Sequence, residues 1–250
     1  MPGSRFLIAL LLACILPSTV SAAAVRAAVA ANFAGTLKEL ARGFEAETGH
    51  RVQISSGSTG KHYAQIRNGA AFDVFLAADS IRPARLESEG VGVAGSRFTY
   101  AVGRLALWVP GSRPPAAPEE YLGTADIRRL AIANPRLAPY GQAAREALEA
   151  WQLWVPMQPR LVLGENAAQA FQFVATGNAP VGLVALSHLR AAGVPDTAFR
   201  LVPDGLHQPI RQQALLLRSG VAAEAFLQYL QGDGAVSLIR AAGYLVPVER

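Results

Sequence analysis

From residue 23 onward the chain alternates short apolar runs with longer amphipathic stretches, which restricts it to strand-helix-strand units on mainly parallel sheets. Val25 to Ala30 reads as the first strand. Phe33, Leu37, Leu40, Ala41 and Phe44 then recur at helical spacing, and Gly49 ends that helix before a strand at Arg51 to Ser55. A helix from about Gly60, with Tyr63 and Ile66 on one face, leads to a strand at Asp73 to Ala77 and a helix at Ile81 to Glu89.

The rhythm breaks at Arg97 to Pro110, a long extended run rich in β formers, and at the turn-rich stretch Pro110, Gly111, Pro114, Pro115 and Pro118. Alternation then resumes. Leu130 to Ala133 reads as a strand, Gly141 to Trp151 as a helix, Arg160 to Leu163 as a strand, and Ala167 to Val174 as a helical face. Val181 to Leu186 is the next strand, with Ser187 to Ala192 a short helix. A second extended run, His207 to Arg218, precedes helices at about Val221 to Leu230 and Gly234 to Ala242. Two α/β halves joined by two extended crossings make a bilobal molecule with a cleft. Residues 23–103 and 212–250 are assigned to the first lobe and 104–211 to the second.

The first 22 residues read as an export signal. Arg5 is their only charge, Phe6 to Leu16 is apolar apart from Cys14, and Val20-Ser21-Ala22 ends in small residues suited to cleavage after Ala22. Leu11-Leu12-Ala13-Cys14 also loosely resembles a lipobox, which would put a lipid on Cys14. Against that, Ile15, Leu16 and Pro17 prolong the apolar region. The run is shorter than the roughly 20 apolar residues needed to span a bilayer. The mature chain therefore lies in the periplasm.

Cys14 is the one cysteine, so no internal disulfide forms, and no Cys/His set has zinc spacing. With 51% apolar residues and 16% charged, the chain can bury a core, which excludes disorder. Of 23 basic residues only Arg5 leaves with the signal, so 22 remain against 18 acidic ones. The arginines are scattered and form no basic stripe with interleaved aromatics, which argues against nucleic-acid binding and leaves an anionic ligand compatible.

Four strand-to-helix junctions carry small or polar residues: Ala30-Ala31-Asn32-Phe33, Ser55 to Lys61, Asn134 to Gly141 with Pro139-Tyr140-Gly141 at its end, and Gly164-Glu165-Asn166-Ala167. The first N–H groups of a helix lack internal partners and lie at the positive end of its dipole, so such ends bind oxyanions without a charged side chain. The plainer account makes Asn32, Ser58, Thr59 and Asn166 ordinary N-caps. Spacing leaves phosphate, sulfate, molybdate and small carboxylates open.

Other chemistries fit poorly. Gly57-Ser58-Thr59-Gly60-Lys61 fails the phosphate-loop pattern twice, with Ser55 in place of the first glycine and His62 after Lys61. His50, His62, His188 and His207 have no metal-ligand pairing and no cation site is expected. There is no Gly-x-Ser-x-Gly elbow, and the adjacent Ser187 and His188 are poorly placed as nucleophile and base.

At these same junctions the chain resembles the periplasmic molybdate-binding proteins of molybdate ABC importers. The likeness runs over essentially the whole mature chain. It rests on Val29-Ala30-Ala31-Asn32-Phe33, Gly57 to Lys61 followed by Tyr63-Ala64-Gln65-Ile66, Phe75-Leu76-Ala77-Ala78-Asp79, Gly164-Glu165-Asn166, and Phe173 to Ala179. The resemblance implies a type II periplasmic binding protein fold, with molybdate or tungstate held between the lobes by about five neutral donors. By local alignment the ligand residues fall on Asn32, on Thr59 with Ser58 as its neighbour, on Tyr140, and on the backbone N–H of Ala167. A fifth donor, a tyrosine hydroxyl in one branch of the family, falls on Ala185, so Tyr140 or the Ala31-Asn32 backbone would compensate.

The expectation is thus a monomeric receptor without catalysis or cofactor, delivering molybdate or tungstate to a membrane permease. A sulfate or other oxyanion receptor, and an exported enzyme acting on an anionic substrate, are the alternatives.

Overall fold

The computed structural model describes residues 23–112, 117–124 and 126–247. The expected signal peptide, with Cys14, lies outside them, as do Pro114 and Pro115 of the turn-rich stretch. In chain order the elements are β1 (Ala24–Ala30), α1 (Ala34–Thr48), β2 (Arg51–Gly57), α2 (Thr59–Arg67), β3 (Val74–Ala77), α3 (Ile81–Ser88) and β4 (Phe98–Gly103). Next come β5 (Leu105–Trp108), α4 (Pro118–Thr124), β6 (Leu130–Ala133), α5 (Pro139–Ala150), α6 (Trp154–Met157), β7 (Leu161–Gly164), α7 (Ala167–Ala175), β8 (Val181–Ala185), α8 (Leu186–Ala191) and β9 (Phe199–Leu201). The chain closes with β10 (Ile210–Leu216), α9 (Val221–Tyr229) and α10 (Asp233–Ala241).

Two five-stranded sheets result, in the orders β2-β1-β3-β10-β4 and β7-β6-β8-β5-β9. β1 pairs in parallel with β2 and β3, and β6 with β7 and β8. In each sheet one strand reverses direction: β10 runs antiparallel to β3 and β4, and β5 antiparallel to β8 and β9. The extended run at 97–110 is therefore two strands in different sheets, divided at Arg104, where the chain passes between lobes. The run at 207–218 becomes strand only from Ile210, because Pro209 has no N–H to give a ladder.

Each sheet is covered on both faces. The two-residue period of β1 sends Val25, Ala27 and Val29 against Leu37, Leu40 and Phe44 of α1 and Phe226 of α9, while Ala28 faces Ile66 and Leu86 on the other side. In the second sheet Leu105, Leu107, Leu130 and Ile132 pack on Ala144, Ala147 and Leu148 of α5. Ala106, Trp108 and Ala131 pack on Phe171 and Val174 of α7 and Leu189 of α8. The fold is bilobal α/β, and the carboxyl ends of β1, β2, β6 and β7 turn into loops that face each other across the cleft. No helix among the described residues is long and apolar enough to cross a membrane.

Candidate functional site

The four junctions meet. A small cavity of about 10 Å³ between the lobes is lined by Ala30 to Asn32, Gly57 to Thr59 and Ala78 from the first lobe, with Ala138 to Tyr140, Asn166 and Ala167 from the second. None of these residues is charged.

At each junction the local structure consumes some N–H groups and spares others. Ala31 donates to Gly57 O and Phe33 to Ala30 O. In the first turn of α2, Lys61 donates to Ser58 Oγ at 3.3 Å and His62 to Ser58 O. At α7, Gln169 donates to Asn166 Oδ1 at 3.1 Å and Ala170 to Asn166 O. At α5, Gly141 and Gln142 both donate to Ala138 O. Among the described residues no protein acceptor is found for the N–H of Asn32, Thr59, Tyr140 or Ala167. Unspent N–H groups at the ends of three helices and of β1 thus border one cavity, where the helix dipoles are positive.

Ser58 and Asn166 have the capping role that their residue types suggest: each side-chain oxygen accepts from the N–H three residues on. Thr59 differs. Its Oγ1 accepts from Ala78 N at 3.0 Å, which leaves the hydroxyl hydrogen free to donate, and the residue is 1% exposed.

Asn32 is buried, and its Nδ2 donates to Gln212 Oε1 at 2.8 Å and to Tyr244 OH at 3.2 Å. Its carbonyl accepts from Ser187 Oγ at 3.0 Å and Tyr244 OH at 2.7 Å. The next side chain, Phe33, lies between the rings of Tyr100 and Tyr244, at centroid distances of 4.6 and 5.4 Å. Tyr140 presents its backbone to the cavity, while its hydroxyl is turned to the crossing, where Gln212 Nε2 donates to it at 3.4 Å. Burial pushes the phenols of Tyr100, Tyr140 and Tyr244 far up, so all three stay neutral donors. Ala185, at the end of β8, is wholly buried in the pair with Leu105 and does not line the cavity.

Gln212, Tyr244 and Ser187 were not foreseen as partners of Asn32, nor was Tyr100, whose hydroxyl meets Gln212 Oε1 at 3.1 Å. The first three stand 180, 212 and 155 positions from Asn32, and the spacing carried no signal that would have joined them. Ser187 and His188 each turn to a first-lobe carbonyl, His188 Nε2 lying 3.3 Å from Ala31 O, so the two do not pair with each other.

The lobes touch around the cavity. Gly60 N donates to Leu137 O at 2.9 Å, Lys61 Nζ meets Glu165 Oε1 at 3.3 Å, and Arg82 Nη2 reaches Arg136 O at 3.4 Å. A Cβ on Gly60 would stand 3.0 Å from Leu137 O, so a glycine is what permits this approach. Arg82 is paired with Asp79, and Arg85, Arg136 and Arg211 border a wider groove alongside. Among the described residues no three His, Cys, Asp or Glu converge to hold a metal ion.

The family model of bacterial extracellular solute-binding proteins matches residues 25–245. The molybdate-binding protein ModA of Azotobacter vinelandii is 47% identical over 250 residues, 96% of this chain and 97% of that protein. ModA of Rhodobacter capsulatus is 43% identical over 244 residues, covering 95% and 94%. The solved structure of the Azotobacter vinelandii periplasmic molybdate-binding protein superposes with a TM-score of 0.84 at 40% identity, covering 89% of this chain and 99% of that one.

Proposed function

The chain belongs to the bacterial extracellular solute-binding proteins, and from that premise we propose that it is a periplasmic receptor that captures molybdate and passes it to the permease of an ABC importer. The observation that carries the ligand class is the cavity itself: both lobes contribute donors, and no charged group lines it.

We assign the ligand contacts to the N–H groups of Asn32, Thr59, Tyr140 and Ala167 and to the Thr59 hydroxyl, with Ala31 and Ser58 beside them. Such a set offers hydrogens and no acceptor. It matches an oxyanion whose four oxygens are all unprotonated, whereas a protonated phosphate would bring a hydrogen with no partner, at a cost of about 1 to 3 kcal/mol. Tungstate, with the same charge and shape, is expected to bind as well.

In this reading the protein is a monomer and a binder rather than an enzyme, and it is exported with cleavage after Ala22. Residues 23–103 with 212–250 move against residues 104–211 about the two crossings. Closing brings the Tyr140 and Ala167 N–H groups to a ligand first met by Asn32 and Thr59. Separate use of Ser187 and His188 on the carbonyls of Asn32 and Ala31 supports the absence of a nucleophile-base pair.

Thermal unfolding of the mature chain with molybdate, tungstate, sulfate or phosphate at equal concentration tests this. Ligand at about 100 times its Kd adds roughly 2.7 kcal/mol. For a chain of this size Tm then rises by about 5 to 10 °C. A rise with molybdate and tungstate alone is expected. A rise with sulfate alone would move the protein to another importer, and no rise would return the junctions to plain helix caps.

A further inference from the structure

Gln212 sits on β10, where the chain returns to the first lobe, and is 0% exposed. The register between β10 and β4 shifts there: Gln212 faces Ala101 but Gln213 faces Thr99, so Tyr100 bulges out of the ladder. The bulge brings the Tyr100 hydroxyl to 3.1 Å from Gln212 Oε1. The same oxygen accepts from Asn32 Nδ2 at 2.8 Å, and Nε2 donates to Tyr140 OH at 3.4 Å. One amide in a sheet core therefore joins the β1 loop of the first lobe to α5 of the second.

The backbone at the crossing is shaped around this contact. A Cβ at Gly103 would overlap the Tyr140 hydroxyl and stand 2.8 Å from Gln212 Nε2. An apolar residue would fill position 212 with no polar group to satisfy, so the amide answers a need other than packing.

We propose that Gln212 is the positioning residue of the oxyanion site, holding Asn32 and Tyr140 in register without touching the ligand. Both hydrogens of Asn32 Nδ2 are spent inside the protein, on Gln212 and Tyr244, which leaves the main-chain N–H of Asn32 to face the cavity. The short bond to Asn32 fixes the first-lobe half of the site. The longer bond to Tyr140 spans the lobes, and it is the one that lengthens when they part and reforms when they close. Gln212 thereby ties the geometry of the two half-sites to lobe closure. The inference rests on the receptor reading above and names a residue that controls it.

Two substitutions separate positioning from packing. Gln212→Leu keeps the volume and removes all three hydrogen bonds. Gln212→Glu supplies an isostere of the amide when protonated and a buried carboxylate when ionised. Molybdate affinity and dissociation rate are measured from pH 5.5 to 8, with the unfolding midpoint of each ligand-free variant. For Gln212→Leu, Kd should rise about 10- to 100-fold, mostly through faster dissociation, and this deficit should not vary with pH. For Gln212→Glu, binding should be weak at pH 8 and recover toward the wild-type level as pH falls. If Gln212→Leu fails to fold, Tyr140→Phe removes only the far end of the chain and should speed dissociation about 2- to 5-fold. A dissociation rate within twofold of wild type in Gln212→Leu, or in Tyr140→Phe where that variant decides, overturns the proposal, as does a Glu variant whose deficit does not change with pH. If the wild-type protein binds no oxyanion, the receptor reading itself fails and this inference falls with it.

Discussion

Replacing Gly60 by alanine should weaken ligand binding while leaving the empty protein as stable as before or slightly more so. Gly60 is the second residue of α2, and its N–H donates across the cleft to Leu137 O at 2.9 Å. The added Cβ would stand 3.0 Å from Leu137 O and 3.3 Å from Leu137 Cα, both backbone atoms of the opposite lobe. Neither can rotate away as a side chain can, so the lobes must stay a few tenths of an ångström further apart. Within the first lobe the methyl meets only the end of Arg82, at 3.5 Å, and alanine is the better helix former by up to about 1 kcal/mol. The gain acts on folding and the loss on closure. Weakening the Gly60 to Leu137 bond costs about 0.5 to 1.5 kcal/mol, and residual crowding adds a comparable amount. The sum, about 1 to 3 kcal/mol, corresponds to a Kd roughly 5 to 150 times higher. Calorimetric titration with molybdate gives the affinity, and thermal unfolding without ligand gives Tm, expected unchanged or up by about 1 to 4 °C. An affinity within twofold of wild type would refute the interlobe argument. So would an affinity loss matched by a fall in ligand-free Tm, since Gly60 would then serve packing inside its own lobe.

Thr59→Val removes the acceptor of the Ala78 N–H together with a hydroxyl that we propose donates to the ligand. It should lower ligand-free stability by about 1 to 3 kcal/mol and weaken molybdate binding at least about tenfold, with Thr59→Ser restoring both; a serine variant no better than valine would exclude the hydroxyl. Asn32→Asp sets a carboxylate oxygen against Gln212 Oε1 and buries a negative charge beside the cavity, and binding at pH 7 to 8 should vanish while a cooperative unfolding transition persists; wild-type affinity would sink the site assignment. His62 and His188 are both held below the ordinary imidazole value, in each case chiefly by burial. Their unfolded forms take up protons first, so the stability they contribute is complete above about pH 6.5 and is lost as pH falls toward the depressed folded values. The unfolding free energy of His62→Gln measured against pH should fall less steeply below 6.5 than that of wild type, and an identical slope would contradict this.

Helix starts were legible because they depend on neighbours in the chain. Ser58 before Thr59 and Asn166 before Ala167 announce caps, and both helices begin there. The strands at Leu130–Ala133 and Val181–Ala185 stood out as apolar runs between turn residues. A helix at Pro118–Thr124 was missed although its signal was present, with Pro118 first and Glu119 and Glu120 in the first turn. The density of prolines from 110 to 118 outweighed it. The break at Arg104, where the lobe assignment divides 23–103 from 104–211, carries no local mark of its own, since a lone Gly103 in a run of β formers does not say that its two halves belong to different sheets. Gln212 and Gln213 are polar neighbours in such a run, and alternation would send one of them to solvent. The bulge at Tyr100 and the partners Arg97 and Thr99 keep both inside. Such pairings depend on which strands lie side by side, and that is decided by the whole sheet.

The contact that limits closure also bears on how the site separates one oxyanion from another. Sulfate is fully ionised at neutral pH, as molybdate is, so a donor-only cavity cannot tell them apart by protonation. Size must do it, and a size filter needs a stop. Gly60 against Leu137 O supplies one, because at 2.9 Å between N and O the lobes cannot approach further without overlap. A smaller tetrahedron bound to Asn32 and Thr59 would leave the Tyr140 and Ala167 N–H groups short of contact, with donors buried and unpaired. A rim of cations would not discriminate in this way, since Coulomb attraction varies gently with distance while a hydrogen bond weakens steeply. Moving the stop outward with Gly60→Ala should then cost sulfate at least as much relative affinity as molybdate. A variant whose sulfate affinity rises as its molybdate affinity falls would show that the filter lies elsewhere in the cleft.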